Sequence, residues 1–182
     1  MEHVIGLKCV ICGKQYGVDE IDYVCPDHGD EGIVDVQYDY ELIGRRFSQG
    51  DLLHSTDYTI WRYKPLLPVE PASPVPPLTV GWTPLYNAPR MAAELGLKQV
   101  WVKDDGRLPT ASFKDRASAV VVARAQQIGA RVVVTASTGN AGAALAGMAA
   151  AVGQPAVIFA PRTAPPAKVA QLLVYGAQVI LV

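Results

Sequence analysis

The spacing of hydrophobic positions changes in the second half of the chain. From residue 100 onward, short β-branched runs alternate with longer runs rich in alanine and other helix formers. This alternation is typical of βαβ units around a parallel sheet. It predicts strands at 100–102, 131–135, 156–159 and 178–182, and helices at 113–128, 140–152 and 166–175. Each helix is followed by a glycine suited to a left-handed C-cap, at Gly129, Gly153 and Gly176.

The first half of the chain has a different character. Residues 1–60 hold twelve of the seventeen acidic residues and four basic ones, whereas residues 116–182 contain five basic residues and no acidic one. Eight of the fourteen prolines fall within residues 65–89. Proline removes a backbone donor and fixes φ, so this stretch favours an extended linker over a helix or a central strand.

Composition narrows the class of protein. The chain has 182 residues, of which 50% are hydrophobic and 18% charged, with a net charge of −1. These values indicate a globular protein and give no support to a nucleic-acid partner. The longest apolar stretch, 141–161, is interrupted at Gly153 to Pro155, and the N-terminus lacks a secretory pattern, so we expect no membrane partner and a cytoplasmic location.

Three cysteines and a histidine are spaced as metal ligands. Cys9 and Cys12 form one pair separated by two residues, and Cys25 and His28 form a second. Two such turns can place three thiolates and one imidazole around a structural Zn²⁺, which would supply folding energy to a segment too small for its own core. The alternatives are a ribbon that keeps its shape without metal, or a His28 that is only a turn residue.

A lysine is predicted in the first turn of the helix at 113–128. The positive end of a helix dipole disfavours an ammonium ion, so Lys114 is a candidate for a lysine that loses its proton or forms an imine. The alternative is a solvated lysine paired with Asp115 or with another acidic residue.

A second helix start follows the predicted strand at 131–135. Ser137, Thr138 and Gly139 place hydroxyl and backbone N–H groups at the first turn of the next helix, where a carboxylate-sized anion would fit. The alternative is that Gly139 and Gly142 only permit a tight turn and close packing of the helix on the sheet.

The combination of motifs resembles the threonine synthase family. The motifs are Ser-Phe-Lys-Asp-Arg at 112–116 and Ala-Ser-Thr-Gly-Asn-Ala at 136–141, accompanied by the cysteine ribbon and Gly-Trp-Thr-Pro-Leu at 81–85. The resemblance implies an α/β, two-domain, pyridoxal-phosphate-dependent fold of the tryptophan-synthase-β type. It further implies a zinc-ribbon-like segment at 1–41, a linker at 42–80, the start of the large domain at 81–130 and the start of the smaller domain at 131–182.

The same resemblance implies roles for individual residues. Lys114 would carry the pyridoxal 5′-phosphate, Phe113 would face its ring, and Asn140 would bind the ring hydroxyl. The substrate carboxylate would lie on Ser137, Thr138 and Gly139. Independently of the resemblance, the phosphate that leaves the substrate needs cationic partners, and Arg162 and Lys168 are candidates because their stretch contains no acidic residue; the alternative is that both are solvated surface charges.

The activity implied is conversion of the small-molecule substrate O-phospho-L-homoserine and water to L-threonine and phosphate, in a homodimer. Two alternatives remain: a threonine or serine ammonia-lyase, and a non-catalytic zinc-ribbon interaction module.

Two departures from the family pattern affect these expectations. The family has glycine where this chain has Ala111, and no two glycines are adjacent anywhere in the 182 residues, although the family holds the cofactor phosphate in a glycine-rich loop. The chain also stops within the predicted strand that ends at Val182. We therefore expect the N-terminal part of a longer protein, inactive alone.

Overall fold

The computed structural model describes residues 1–182, which form two compact units. The N-terminal unit consists of residues 1–57 and 61–72, and the C-terminal unit of residues 58–60 and 73–182. Short 3-10 turns occur at Gly29–Glu31, Ile60–Leu66 and Asp105–Arg107. None of the helices combines the length and apolar character needed to cross a bilayer.

The N-terminal unit begins with a small antiparallel sheet. Its strands are β1 (Val4–Cys9), β2 (Gln15–Tyr16) and β3 (Val34–Tyr38), in the order β2-β1-β3. The interior of this sheet is only a small cluster, in which Cys9, Tyr16 and Cys25 are the buried members. So little apolar burial gives limited stability, and a cross-link or a metal typically supplements it in segments of this size.

Two short helices follow the small sheet. They are α1 (Tyr40–Arg46), where the Asp39 carboxylate accepts a hydrogen bond from the Leu42 N–H, and α2 (Gln49–His54), which begins with a capping box between Ser48 and Asp51. The segment predicted as a linker, 42–80, therefore contains helices in its first part, because these capping side chains satisfy the free N–H groups of each first turn.

The C-terminal unit starts with an antiparallel pair of strands. It comprises β4 (Leu85–Asn87), α3 (Pro89–Glu94) and β5 (Trp101–Lys103), after which comes α4 (Lys114–Gln127). The extended linker predicted from the prolines at 65–89 did not anticipate the start of α3 at Pro89. Pro89 lies in its first turn, where a helix needs no N–H donor, so this proline starts a helix instead of preventing one.

A parallel three-stranded sheet completes the C-terminal unit. Its order is β6-β7-β8, formed by β6 (Val133–Ala136), α5 (Asn140–Ala151), β7 (Ala156–Ala160), α6 (Pro166–Val174) and β8 (Gln178–Leu181). The alternation of strands and helices predicted from residue 131 onward is confirmed, as are the left-handed glycines at 129, 153 and 176, whose φ values are 69°, 67° and 77°. The strand predicted at 100–102 is present as β5, but it pairs antiparallel with β4 and lies outside the parallel sheet.

Helix α5 is the central helix of this unit. It packs against α4, α6, β6 and β7. Its alanine-rich surface is buried over almost its whole length, and Ile158 of β7, which is fully buried, lies close to Gly142. A Cβ atom at Gly142 would lie 3.2 Å from Ile158 Cγ2, so glycine allows the helix to approach the sheet closely. This packing fixes where α5 begins relative to β6.

Candidate functional site

The loop before α4 is held by a buried carboxylate. Asp115 is completely buried and accepts hydrogen bonds from the Thr110 backbone N–H, at 2.7 Å, and from the Thr110 hydroxyl. The Ser112 hydroxyl accepts the Lys114 N–H at 3.2 Å. The alternative pairing of Lys114 with Asp115 is therefore not the one observed, because the carboxylate is already engaged by the loop. Sequence reasoning missed this role of Asp115.

The side chain of Lys114 is exposed at the first residue of α4. Its Nζ lies 4.5 Å from the centroid of the Phe113 ring, and no carboxylate forms an ion pair with it. Phe113 itself is 59% exposed, so its ring is available to a planar ligand. An accessible, unprotonated lysine amine can form an imine with an aldehyde, and the neighbouring ring offers a surface for a planar ligand.

The first turn of α4 is also tied to the strand pair. Arg116 donates from Nε and Nη2 to the two carboxylate oxygens of Asp105, at 3.0 and 2.8 Å. Thr83 donates its hydroxyl to the same carboxylate at 2.6 Å. The hydrogen bond from Arg116 lowers the pKa of Asp105 to about 2, with Thr83 adding to the effect. Although Arg116 belongs to the motif at 112–116, its partner lies eleven residues away, and no sequence pattern indicates the pairing.

Ser137 organises the second helix start. Its Oγ accepts the Gly139 N–H at 3.2 Å and the Gly142 N–H at 2.9 Å, so the hydroxyl keeps only its proton for another partner. Thr138 is exposed, and a Cβ atom at Gly139 would meet no atom within 4 Å. The close-packing alternative therefore applies to Gly142 and not to Gly139.

Asn140 begins α5, and its amide is paired with a lysine. Lys168 Nζ lies 2.6 Å from Asn140 Oδ1 and 3.3 Å from Gln171 Oε1. The other predicted phosphate ligand, Arg162, is exposed, and its backbone N–H donates to Val182 O. Lys168 is therefore engaged with the amide that was predicted to bind the cofactor.

The loop before α4 contacts α5 two turns beyond the first residue of α5. Helices α4 and α5 pack side by side, and the Thr110 methyl group approaches Gly147 so closely that a Cβ there would lie 2.7 Å from it. No hydrogen bond or ring contact joins Lys114 to Asn140. Both side chains are exposed and therefore accessible to a ligand.

The four predicted metal ligands converge in the N-terminal unit. The ligand atoms of Cys9, Cys12, Cys25 and His28 all lie within 4.8 Å of one another. Separations of 4.0 Å between Cys12 and Cys25, 3.5 Å between Cys25 and His28, and 3.9 Å between Cys9 and His28 compare with edges of about 3.8 Å for a tetrahedron with ~2.3 Å Zn–S bonds. The donor set and its spacing thus fit a tetrahedral Zn²⁺.

A tyrosine supports the same cluster. The Tyr16 hydroxyl lies 2.9 Å from Cys25 Sγ, and both residues are buried. This hydrogen bond, followed by that from His28, lowers the pKa of the Cys25 thiol to about 6. A thiolate is the form that binds a metal, so the site is suited to its ligand near neutral pH.

The parallel sheet and its helices, together with the matches below, place the C-terminal unit among α/β pyridoxal-phosphate enzymes of the tryptophan-synthase-β type. The family model described as "Pyridoxal-phosphate dependent enzyme" matches residues 77–182, and the chain belongs to this family.

Similar proteins include several threonine synthases. That of Methanocaldococcus jannaschii is 42% identical over 96% of this chain, and that of Synechocystis sp. is 43% identical over 66% of it. Cysteine synthase B of Escherichia coli is 36% identical over 57% of this chain. The chain spans 42%, 32% and 35% of the lengths of these three relatives.

Solved structures of similar fold include a pyridoxal-phosphate-dependent enzyme and an ammonia lyase. A pyridoxal 5′-phosphate-dependent aspartate racemase aligns with a TM-score of 0.51 at 32% identity, covering 54% of this chain and 32% of that one. A diaminopropionate ammonia lyase from Escherichia coli aligns with a TM-score of 0.51 at 26% identity, covering 55% and 31%. These likenesses confirm the predicted fold class.

Proposed function

We propose that a protein containing this chain converts O-phospho-L-homoserine and water to L-threonine and phosphate with pyridoxal 5′-phosphate. The observation that carries the proposal is the exposed, unpaired Lys114 amine beside the Phe113 ring. The likeness to threonine synthases supports the choice of reaction, since in Methanocaldococcus jannaschii it extends over 96% of the chain, whereas the likeness to cysteine synthase B covers 57%.

The residues fit the cofactor in three respects. Lys114 offers the amine for covalent attachment, Phe113 offers an exposed ring face, and Asn140 offers an amide for the ring hydroxyl. When bound, the cofactor supplies an electron sink for carbanion chemistry. The hydroxyl proton of Ser137 and the backbone N–H of Thr138 would hold the substrate carboxylate at the start of α5, and the Gly139 N–H, which donates to Ser137 Oγ, would join them only by leaving that hydrogen bond.

Lys114 would also move protons. When it is not bonded to the cofactor, the Lys114 amine would take the proton from substrate Cα and would hold or move protons at Cβ. The loop before α4 limits where this amine can go, because Asp115, the residue next to Lys114, is hydrogen-bonded to Thr110. The Arg162 guanidinium is proposed to meet the phosphate that leaves.

The test uses the full-length protein encoded by the gene that contains residues 1–182, and it identifies the compounds that this protein releases from each substrate. With O-phospho-L-homoserine we expect release of inorganic phosphate and threonine, and with Lys114→Ala neither. Release of ammonia from threonine without phosphate release from O-phosphohomoserine would overturn the proposal. It would favour the second candidate, an ammonia-lyase. The structural similarity to diaminopropionate ammonia lyase supports this candidate.

We further propose that the cluster of Cys9, Cys12, Cys25 and His28 holds a structural Zn²⁺. Four protein ligands leave no open position, so the metal would stabilise the N-terminal unit and take no part in catalysis. The third possibility, a non-catalytic interaction module, is tested by the same product analysis, because such a module would turn over neither substrate.

The remaining proposals concern assembly. Residues 1–182 contain no glycine pair for the cofactor phosphate, so this segment alone is proposed to bind the cofactor weakly and to be inactive. A homodimer, a cytoplasmic location and a domain division at Arg131 are also proposed. Comparing cofactor affinity between residues 1–182 and the complete gene product tests the first of these.

A further inference from the structure

The pairing between Lys168 and Asn140 determines which way the Asn140 amide faces. The 2.6 Å contact joins Lys168 Nζ to the amide group, and Gln171 Oε1 holds the same ammonium at 3.3 Å. No acidic residue occurs between 116 and 182, so no carboxylate of that segment draws the lysine away. The pair therefore stands as the main polar contact of the Asn140 side chain.

The chemistry of the ammonium group fixes the amide orientation. A lysine ammonium has three donors and no acceptor, so the amide atom facing it must be oxygen. The Asn140 NH₂ group then points away from Lys168, and no group of the chain accepts a hydrogen bond from it. An amide whose oxygen receives a charged donor is also a stronger N–H donor, because such hydrogen bonds polarise one another.

We propose that Lys168 is a positioning residue that holds the Asn140 amide with its N–H toward the ring oxygen of the cofactor. This inference rests on the proposed function, since the ring oxygen belongs to pyridoxal phosphate. It assigns Lys168 a different partner from the substrate phosphate expected from the sequence. Without Lys168, the amide can rotate and present its oxygen, which would repel an anionic ring oxygen.

The test compares two cofactors that differ only at the ring oxygen. Dissociation constants for pyridoxal 5′-phosphate and for 3-deoxypyridoxal 5′-phosphate, which lacks the ring hydroxyl, are measured by absorbance on the complete gene product. The dissociation constant of the 3-deoxy analogue divided by that of pyridoxal 5′-phosphate measures the interaction of Asn140 with the ring oxygen. The same ratio in Asn140→Ala is the baseline without that interaction. A hydrogen bond to a charged group contributes roughly a tenfold effect or more, so we expect the wild-type ratio to exceed this baseline by about tenfold.

Lys168→Met is expected to bring the ratio most of the way to the Asn140→Ala value, and Lys168→Arg to retain it, because a guanidinium also only donates. In the Asn140→Ala background, Lys168→Met should not change the ratio further. Arg131→Met, which removes an exposed charge elsewhere in the unit, should leave the ratio at the wild-type value.

Three results would overturn the inference. An unchanged ratio in Lys168→Met excludes positioning, and an equal loss of affinity for both cofactors indicates a contact to the phosphate or general damage to the fold. A wild-type protein that binds no pyridoxal phosphate at Lys114 removes both this inference and the proposed function. If borohydride reduction attaches the cofactor to Lys114 but the ratio is the same in the wild type and in Lys168→Met, only this inference fails.

Discussion

Replacing Ala111 with glycine should stabilise the C-terminal unit. Ala111 has φ = 58°, in the left-handed region, and lies in the loop that leads to Lys114. That conformation costs a residue with a Cβ about 1–2 kcal/mol. Glycine removes this strain but gains freedom in the unfolded chain, which offsets about 0.4–1 kcal/mol. The net expectation is a rise of about 0.5–1 kcal/mol in the free energy of unfolding.

The assay is urea unfolding of the wild type and two variants, with equal m-values required for comparison. Ala117→Gly is the matched control, since Ala117 is exposed in α4 and glycine inside a helix costs about 1 kcal/mol. The same substitution should thus raise the midpoint at 111 and lower it at 117. Lowering at both positions would refute the assignment of strain to Ala111.

Three further perturbations have defined outcomes. Gly147→Ala should destabilise the C-terminal unit by about 1 kcal/mol in the same urea assay, because its Cβ would lie 2.7 Å from the buried Thr110 side chain, an overpacking cost of about 1–3 kcal/mol that the higher helix propensity of alanine offsets by about 1 kcal/mol; a rise in stability would contradict that packing. Asp105→Asn should cost about 1 kcal/mol at pH 7, a modest value since the Asp105 and Arg116 side chains are 25% and 34% exposed. Because the pKa of Asp105 is depressed to about 2, its stabilisation is present above about pH 4 and lost as pH falls toward 2, so urea midpoints of the variant should fall less steeply over that range. Cys12→Ser should reduce zinc, measured by plasma emission, from one ion per chain to a small fraction, and equal zinc in both proteins would exclude the ribbon site.

The sequence was informative where local chemistry determines the backbone. Helices end at Gly129, Gly153 and Gly176 because these residues adopt the left-handed φ values that glycine tolerates. Each boundary could be predicted from the position of the glycine in the sequence. The convergence of the four metal ligands was likewise predictable, because each pair lies within one turn. In these cases the interacting residues are close together in the chain.

Other features depend on contacts that no local pattern reveals. Asp115 is one residue from Lys114, yet burial of the loop directs its carboxylate to Thr110. Lys168 meets Asn140 across 28 residues, because α5 and α6 pack together after β7 has joined them to the sheet. Such pairings follow from tertiary packing, so residue spacing could suggest a cation near the site but not its partner.

The central claim is that the Lys114 amine holds the cofactor. The most direct measurement is borohydride reduction of the complete gene product with pyridoxal 5′-phosphate, followed by peptide mass spectrometry. The account predicts one reduced pyridoxyl group per chain, located on Lys114, and none in Lys114→Ala. A label on another lysine, or equal labelling of the variant, would contradict it.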